Sequence, residues 1–140
     1  MVDRTQYQMV KDFHDKFRVP RATDPVIPPA DIIESRWQKG EEEFAEYHDE
    51  IIDLYFNGPP QSEEEKRQAI CRLVHEIADV VYVLYGTAAS FGADMDNVFW
   101  AVHEANMTKS LVDGKIVKGD KFKPADSKIY SILFGERERE

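Results

Sequence analysis

Carboxylates at helical spacing, in two clusters about thirty residues apart, are the residues of this chain best suited to chemistry: Glu42-Glu43-Phe44-Ala45-Glu46 and Glu76-Ile77-Ala78-Asp79. In a helix each pair lies one turn apart, so each cluster projects two or three acids from one side. Such a group repels itself unless a cation binds it. Hard oxygen ligands at this density suit Mg²⁺ or Mn²⁺, and carboxylate-bound Mg²⁺ commonly serves a phosphate substrate. Repulsion is poorly relieved within the sequence itself. Lys39 is placed to reach Glu43, but no Lys or Arg lies between Glu41 and Asp53. An acidic helix face is ordinary when solvated, so Glu42, Glu43 and Glu46 alone prove little. Glu76 and Asp79 are different, because they interrupt a segment otherwise made of Ile, Ala, Val, Tyr and Leu, where charges need a partner or a metal.

The elements that must position these acids follow from periodicity. Tyr7, Val10, Phe13 and Phe17 predict an amphipathic helix within Asp3 to Phe17, ending before Val19-Pro20. Pro25, Pro28 and Pro29 forbid regular helix over residues 21–30 and predict a stiff, extended crossover able to wall a pocket. Ile33, Trp37, Phe44, Tyr47, Ile51 and Leu54 predict a long helix from about Asp31 to Asn57, stopped by Gly58-Pro59-Pro60. A second long helix begins after Ser62, with capping-box spacing to Glu65, and runs to about Ser90. Its Val80-Val81-Tyr82-Val83-Leu84 stretch is apolar on more than one side, which predicts a subunit interface. Asp94 caps a further helix to about Lys109. The short Gly-Pro-Pro connection makes the two long helices antiparallel neighbours, so their acidic clusters converge.

The fold class expected is therefore all-α, a helical bundle of about four core helices. After it comes a short basic segment, irregular or containing a hairpin at Asp113-Gly114 and facing substrate. One domain over residues 1–126 and a C-terminal tail over 127–140, ending in the charge-dense run from Glu136 to Glu140, are the expected organisation.

Other metal chemistries fail on spacing. The residues three before His48, His75 and His103 are Ala45, Arg72 and Trp100, so no di-iron Glu-x-x-His motif exists. His75-Glu76 begins like a zinc-protease motif, yet Asp79 stands where its second His belongs. Asp94-x-Asp96 lacks the glycine and terminal glutamate of a calcium loop. The four histidines read as packing or surface residues, and Cys71 as a helix-packing residue. A net charge of -9 and a pI near 4.9 disfavour nucleic acid or an anionic membrane as partner. The lone cysteine, the polar N-terminus and the lack of an apolar run of roughly twenty residues predict a cytoplasmic chain.

Taken with their neighbours, the clusters resemble the MazG-like all-α nucleoside triphosphate pyrophosphohydrolases, the group that shares its fold with phosphoribosyl-ATP pyrophosphohydrolase and the dimeric dUTPases. The family's Glu-x-x-Glu and Glu-x-x-Asp motifs match Glu43 to Glu46 and Glu76 to Asp79, and Glu42 fits the variant with an additional Glu. Further similar runs are residues 13–20, 78–87, 102–109 and 118–122, so the resemblance spans about residues 7 to 126. It departs at Lys39-Gly40, where many relatives carry a large aliphatic residue.

The resemblance implies Mg²⁺-dependent hydrolysis of a nucleoside triphosphate, foremost a deoxyribonucleotide, to the monophosphate and pyrophosphate, as nucleotide-pool control. Glu43, Glu46, Glu76 and Asp79 would hold two or three Mg²⁺ or Mn²⁺ ions, with Glu42 accepting a proton from water or completing a metal shell. Asn106, Lys109, Lys118 and Lys121 would bind substrate, and Glu50 would assist. Trp37, Phe13 and Phe17 are aromatic candidates for a base pocket. A homodimer or homotetramer is implied, with sites completed across subunits. The rival reading is a non-catalytic acidic helical module binding a basic partner; a third is phosphoribosyl-ATP pyrophosphohydrolase itself.

Overall fold

The computed structural model describes residues 3–135 and contains, among them, five helices and one small hairpin. Helix α1 spans Gln6–Phe17, α2 Ala30–Asn57, α3 Glu63–Ser90 and α4 Met95–Met107. The strands β1 (Ser110–Val112) and β2 (Lys115–Val117) follow, then α5 (Asp126–Phe134). The all-α class with four core helices is therefore as the periodicity indicates.

Local chemistry sets the boundaries. Thr5 opens α1 with a complete capping box to Gln8, which places the start at Gln6, three residues after Asp3 where the expected segment begins. Ser62 accepts from the Glu65 amide and Asp94 from the Asn97 amide, capping α3 and α4. Gly58, at φ 72°, ends α2. β1 and β2 pair antiparallel in the register Ser110↔Val117, Leu111↔Ile116, Val112↔Lys115. Asp113 and Gly114, at φ 50° and 77°, make the turn between them. The region expected as a tail begins instead with α5, which packs on α4: Lys128 pairs with Glu104 and lies 4.2 Å above the Trp100 ring. The run from Glu136 to Glu140 lies outside the described residues.

Helices α2 and α3 form a long hairpin, and α1 lies on the C-terminal half of α3. Tyr7, Val10 and His14 are buried there with Val83, Gly86, Ala89 and Ser90. The proline-rich crossover is extended, as expected. It is tied to the end of α3 by amide hydrogen bonds from Ala22 to the Ala89 carbonyl and from Val26 to that of Phe91, each 3.0 Å. It walls a pocket with Tyr7, Asp94 and Asn97, a different place from the acidic clusters.

Gly92 makes this junction possible. Its φ is 67°, and a Cβ there would collide with the Asp24 carbonyl oxygen. Gly92→Ala is expected to lower unfolding free energy by roughly 1–3 kcal/mol, through backbone strain and a displaced crossover, as read by urea denaturation.

Although α2 is amphipathic, it has no fully buried residue. Trp37, Phe44, Ile70 and Leu84 are all more than half exposed, so the α2–α3 hairpin presents an open apolar face. A monomer rarely leaves a contiguous patch of this kind uncovered.

Candidate metal centre

The antiparallel packing of α2 and α3 brings both acidic clusters together. One carboxylate oxygen from each of Glu43, Glu46, Glu76 and Asp79 lies within 4.8 Å of the other three. These are the four acids the sequence motifs single out as ligands. Glu43 and Glu76 rise from the helix surfaces that face each other, while Glu46 and Asp79 flank them one turn along.

Two of the oxygens show what the group lacks. Glu43 Oε2 and Glu76 Oε2 are buried and have no hydrogen-bond partner. A buried carboxylate oxygen without a donor is costly, and a cation held among the four acids would satisfy both. The donor set, all oxygen and all carboxylate, fits a hard divalent ion.

The electrostatics agree. Glu43, with its side chain only 13% exposed, has its pKa pushed up by burial first, then by the charges of Glu46 and Asp79. Lys39 opposes this from 3.7 Å, the contact its spacing predicts. A carboxylic acid whose folded pKa exceeds its unfolded value contributes stability below the unfolded value and loses it as pH rises through the raised one. In EDTA, the melting temperature of the wild type should therefore fall across that upward range more than that of Glu43→Gln. Scanning calorimetry at a series of pH values compares them.

The other expected residues are placed as follows. Glu42 is exposed, lies 3.7 Å from Lys39 Nζ, and stands outside the converging four. Glu50 faces Arg72 across the hairpin at 3.6 Å, and Asp53 accepts from Asn57, so both are occupied elsewhere. Asn106 is exposed near the end of α4, and Lys109, Lys118 and Lys121 follow it into the hairpin and loop. None of these four lines the pocket that adjoins the acids, and none of the three lysines has a carboxylate partner among the described residues. Cys71 is exposed rather than packed. Of the histidines, His14 is a buried packing residue as expected, and His48, His75 and His103 lie at the surface.

The pocket beside the acids is lined by residues that motif reading passes over: Phe13, His14, Arg36 and Tyr82, together with Lys39, Glu43 and Asp79. Phe13 meets Tyr82 edge to face at 5.6 Å. His14 Nδ1 lies 3.3 Å from the Pro20 carbonyl, and burial followed by the Arg36 charge lowers its pKa. Both effects favour the neutral ring, and since a carbonyl can only accept, Nδ1–H is the donor to Pro20, which leaves Nε2 as an acceptor in that form. Arg36 donates through Nη2 to the Val83 carbonyl at 2.8 Å and through Nε to Thr87 Oγ1 at 3.3 Å. Gly86 leaves the room this requires, since a Cβ there would overlap the guanidinium. Arg36 lies seven residues before Glu43 on the same helix face, but that spacing does not set it apart from an ordinary surface arginine.

His75 Nε2 also approaches Asp79 at 3.3 Å, so the acid that fails the zinc-protease spacing does have a histidine one turn away.

A family model described as phosphoribosyl-ATP pyrophosphohydrolase matches residues 10–106, more than half of the chain and including all four converging acids. No curated protein gives a significant match.

Proposed function

Because the chain belongs to the phosphoribosyl-ATP pyrophosphohydrolase family, whose activity is on nucleotide phosphoanhydride bonds, we propose that it hydrolyses a nucleoside triphosphate, foremost a deoxyribonucleotide, to the monophosphate and pyrophosphate. The observation that carries this reading is the pair of buried, unpartnered oxygens on Glu43 and Glu76 within the four-acid group. Helical modules that merely display acids to a basic partner have no reason to bury them unpaired. Two or three Mg²⁺ ions, or Mn²⁺, held by Glu43, Glu46, Glu76 and Asp79, would neutralise the triphosphate and acidify the attacking water.

Water attacks the α-phosphorus, the bond to the bridging oxygen breaks, and pyrophosphate leaves. Glu42 is assigned by its place in the motif to accept the water's proton or to complete a metal shell. Asn106 offers donor and acceptor groups to sugar or base, and Lys109, Lys118 and Lys121 offer charge to the phosphates. Their position outside the pocket of their own chain supports a site completed by a second copy.

The open apolar face of the α2–α3 hairpin supports the same conclusion. A groove of about 760 Å³ runs along it between Trp37, Phe44, Val80 and Leu84, widened at Gly40. A symmetric second copy would cover it in a homodimer, which two such pairs extend to a tetramer. No helix among the described residues is long and apolar enough to cross a membrane, and we place the enzyme in the cytoplasm. Nucleic acid is not a partner we assign, given the charge of -9.

The family match also favours a second substrate, phosphoribosyl-ATP, in which the same bond type is cut. Incubation with each of the eight common ribo- and deoxyribonucleoside triphosphates and with phosphoribosyl-ATP, with and without Mg²⁺, separates the readings. Pyrophosphate and monophosphate from one or more deoxynucleotides, only with Mg²⁺, is expected. Turnover of phosphoribosyl-ATP alone would move the assignment to that substrate, and turnover of none would favour the interaction module.

A further inference from the structure

The guanidinium of Arg36 is a partly buried cation without a carboxylate partner among the described residues. Among the described residues it pairs only with the Val83 carbonyl and the Thr87 hydroxyl, which leaves most of its five donors without a protein acceptor. Burial disfavours its charge and lowers its pKa. Such a group is retained where an anion comes to meet it.

Arg36 lines the pocket of about 160 Å³ that also contains Glu43 and Asp79, so the space beside the guanidinium opens onto the metal centre. Lys39 lies between them on the same face of α2. The order along α2 is Glu43, then Lys39 about 6 Å further, then Arg36 at about 10 Å. That is the scale of a triphosphate chain, with cations graded away from the acids. Once divalent ions neutralise the four carboxylates, what remains at this end of the site is the positive charge of Lys39 and Arg36. Lys39 then has less reason to stay with Glu42 and Glu43, each 3.7 Å away, and is free to turn to a phosphate.

We propose that this pocket holds the pyrophosphate end of the triphosphate, with Arg36 as its principal anchor and Lys39 as a second contact nearer the metal ions. The inference rests on the pyrophosphohydrolase reading and adds which residues of the chain recognise the leaving group. Recognition through phosphate rather than base makes this part of the site indifferent to the nucleobase. Arg36 offers a planar fork for two oxygens, and His14 Nε2 stands beside it next to Gly86, where it can accept a hydrogen bond from a protonated phosphate oxygen.

Inorganic pyrophosphate, titrated calorimetrically in the presence of Mg²⁺, is the probe, with a nucleoside monophosphate titrated in parallel. Arg36→Gln should weaken pyrophosphate binding about tenfold or more while leaving the monophosphate within about twofold. Arg36→Lys should recover only part of the loss, because a point charge replaces the fork. Lys39, half exposed, tolerates replacement, so Lys39→Gln tests the pocket even if Arg36→Gln folds poorly; it should weaken pyrophosphate several-fold. A purely structural role would lower thermal stability and weaken both ligands alike, which would overturn the proposal. So would unchanged pyrophosphate affinity in both variants, or a loss confined to the monophosphate, which would make this the base pocket. Absence of wild-type turnover counts against the proposed reaction, whereas pyrophosphate binding that ignores Arg36 and Lys39 counts against the pocket alone.

Discussion

Glu46→Gln and Asp79→Asn are each expected to lower Mg²⁺-dependent pyrophosphate release at least about a hundredfold, since even partners outside the ligand shell of a metal site cost 10- to 100-fold when removed. Helicity should not change. Glu46 is exposed and Asp79 only half-buried, so neither carries packing that the amide would disturb. In EDTA both variants should be as stable as the wild type or more so, because each removes one of four mutually repelling charges. That opposition, stability kept or raised while activity is lost, distinguishes a metal ligand from a structural acid. Circular dichroism, thermal melts and a pyrophosphate-release assay on the same preparations read all three quantities. Wild-type turnover by either variant would remove it from the ligand set.

The second large effect concerns the open apolar face. Leu84→Glu should convert a dimer into a monomer at micromolar concentration, as measured by light scattering after gel filtration. Leu84 is 59% exposed in the single chain, so the substitution displaces little packing there. Its cost therefore falls on association, where it would bury a charge against Trp37, Phe44 and Val80. Pyrophosphate release should fall with it if, as proposed, Asn106, Lys109, Lys118 and Lys121, which do not line the pocket beside the acids of their own chain, complete the site of a second copy. A variant that remains dimeric, or a fully active monomer, would contradict this arrangement.

Much of this architecture is legible in the residues because helices report themselves through a short period. Ile33 to Leu54 and Ile70 to Ala88 mark both long helices, and Gly58-Pro59-Pro60 forces them to return alongside one another. From that alone the convergence of Glu43 and Glu46 with Glu76 and Asp79 follows. The ends of elements depend on single hydrogen bonds instead, which is why Thr5 with Gln8, and not the apolar pattern, sets the start of α1 at Gln6 within the expected span from Asp3. Helix α5 is missed for another reason. Its Ile129, Tyr130, Ile132 and Leu133 are too few to show a period, and what holds it is tertiary: Lys128 against Glu104 and Trp100.

The site was legible only in its acids. Arg36 and His14 belong to helices whose patterns read as ordinary amphipathic surface, and no sequence period says that Gly86 on a third helix makes space for both. A polar side chain inside a helix interface is visible only when its neighbours are. Glu42 illustrates the converse, since its place in the motif joins it to the cluster while the helix turn directs it toward solvent and Lys39.

The claim on which the rest depends is that Glu43, Glu46, Glu76 and Asp79 together hold divalent ions. Titration of the purified protein with Mn²⁺, following the loss of the free-ion signal by electron paramagnetic resonance, tests it without any substrate. Two or more Mn²⁺ ions bound per chain, displaced by Mg²⁺ and greatly weakened in Glu46→Gln, is the result expected. No bound Mn²⁺, or binding of the same strength and number in Glu46→Gln, would contradict it.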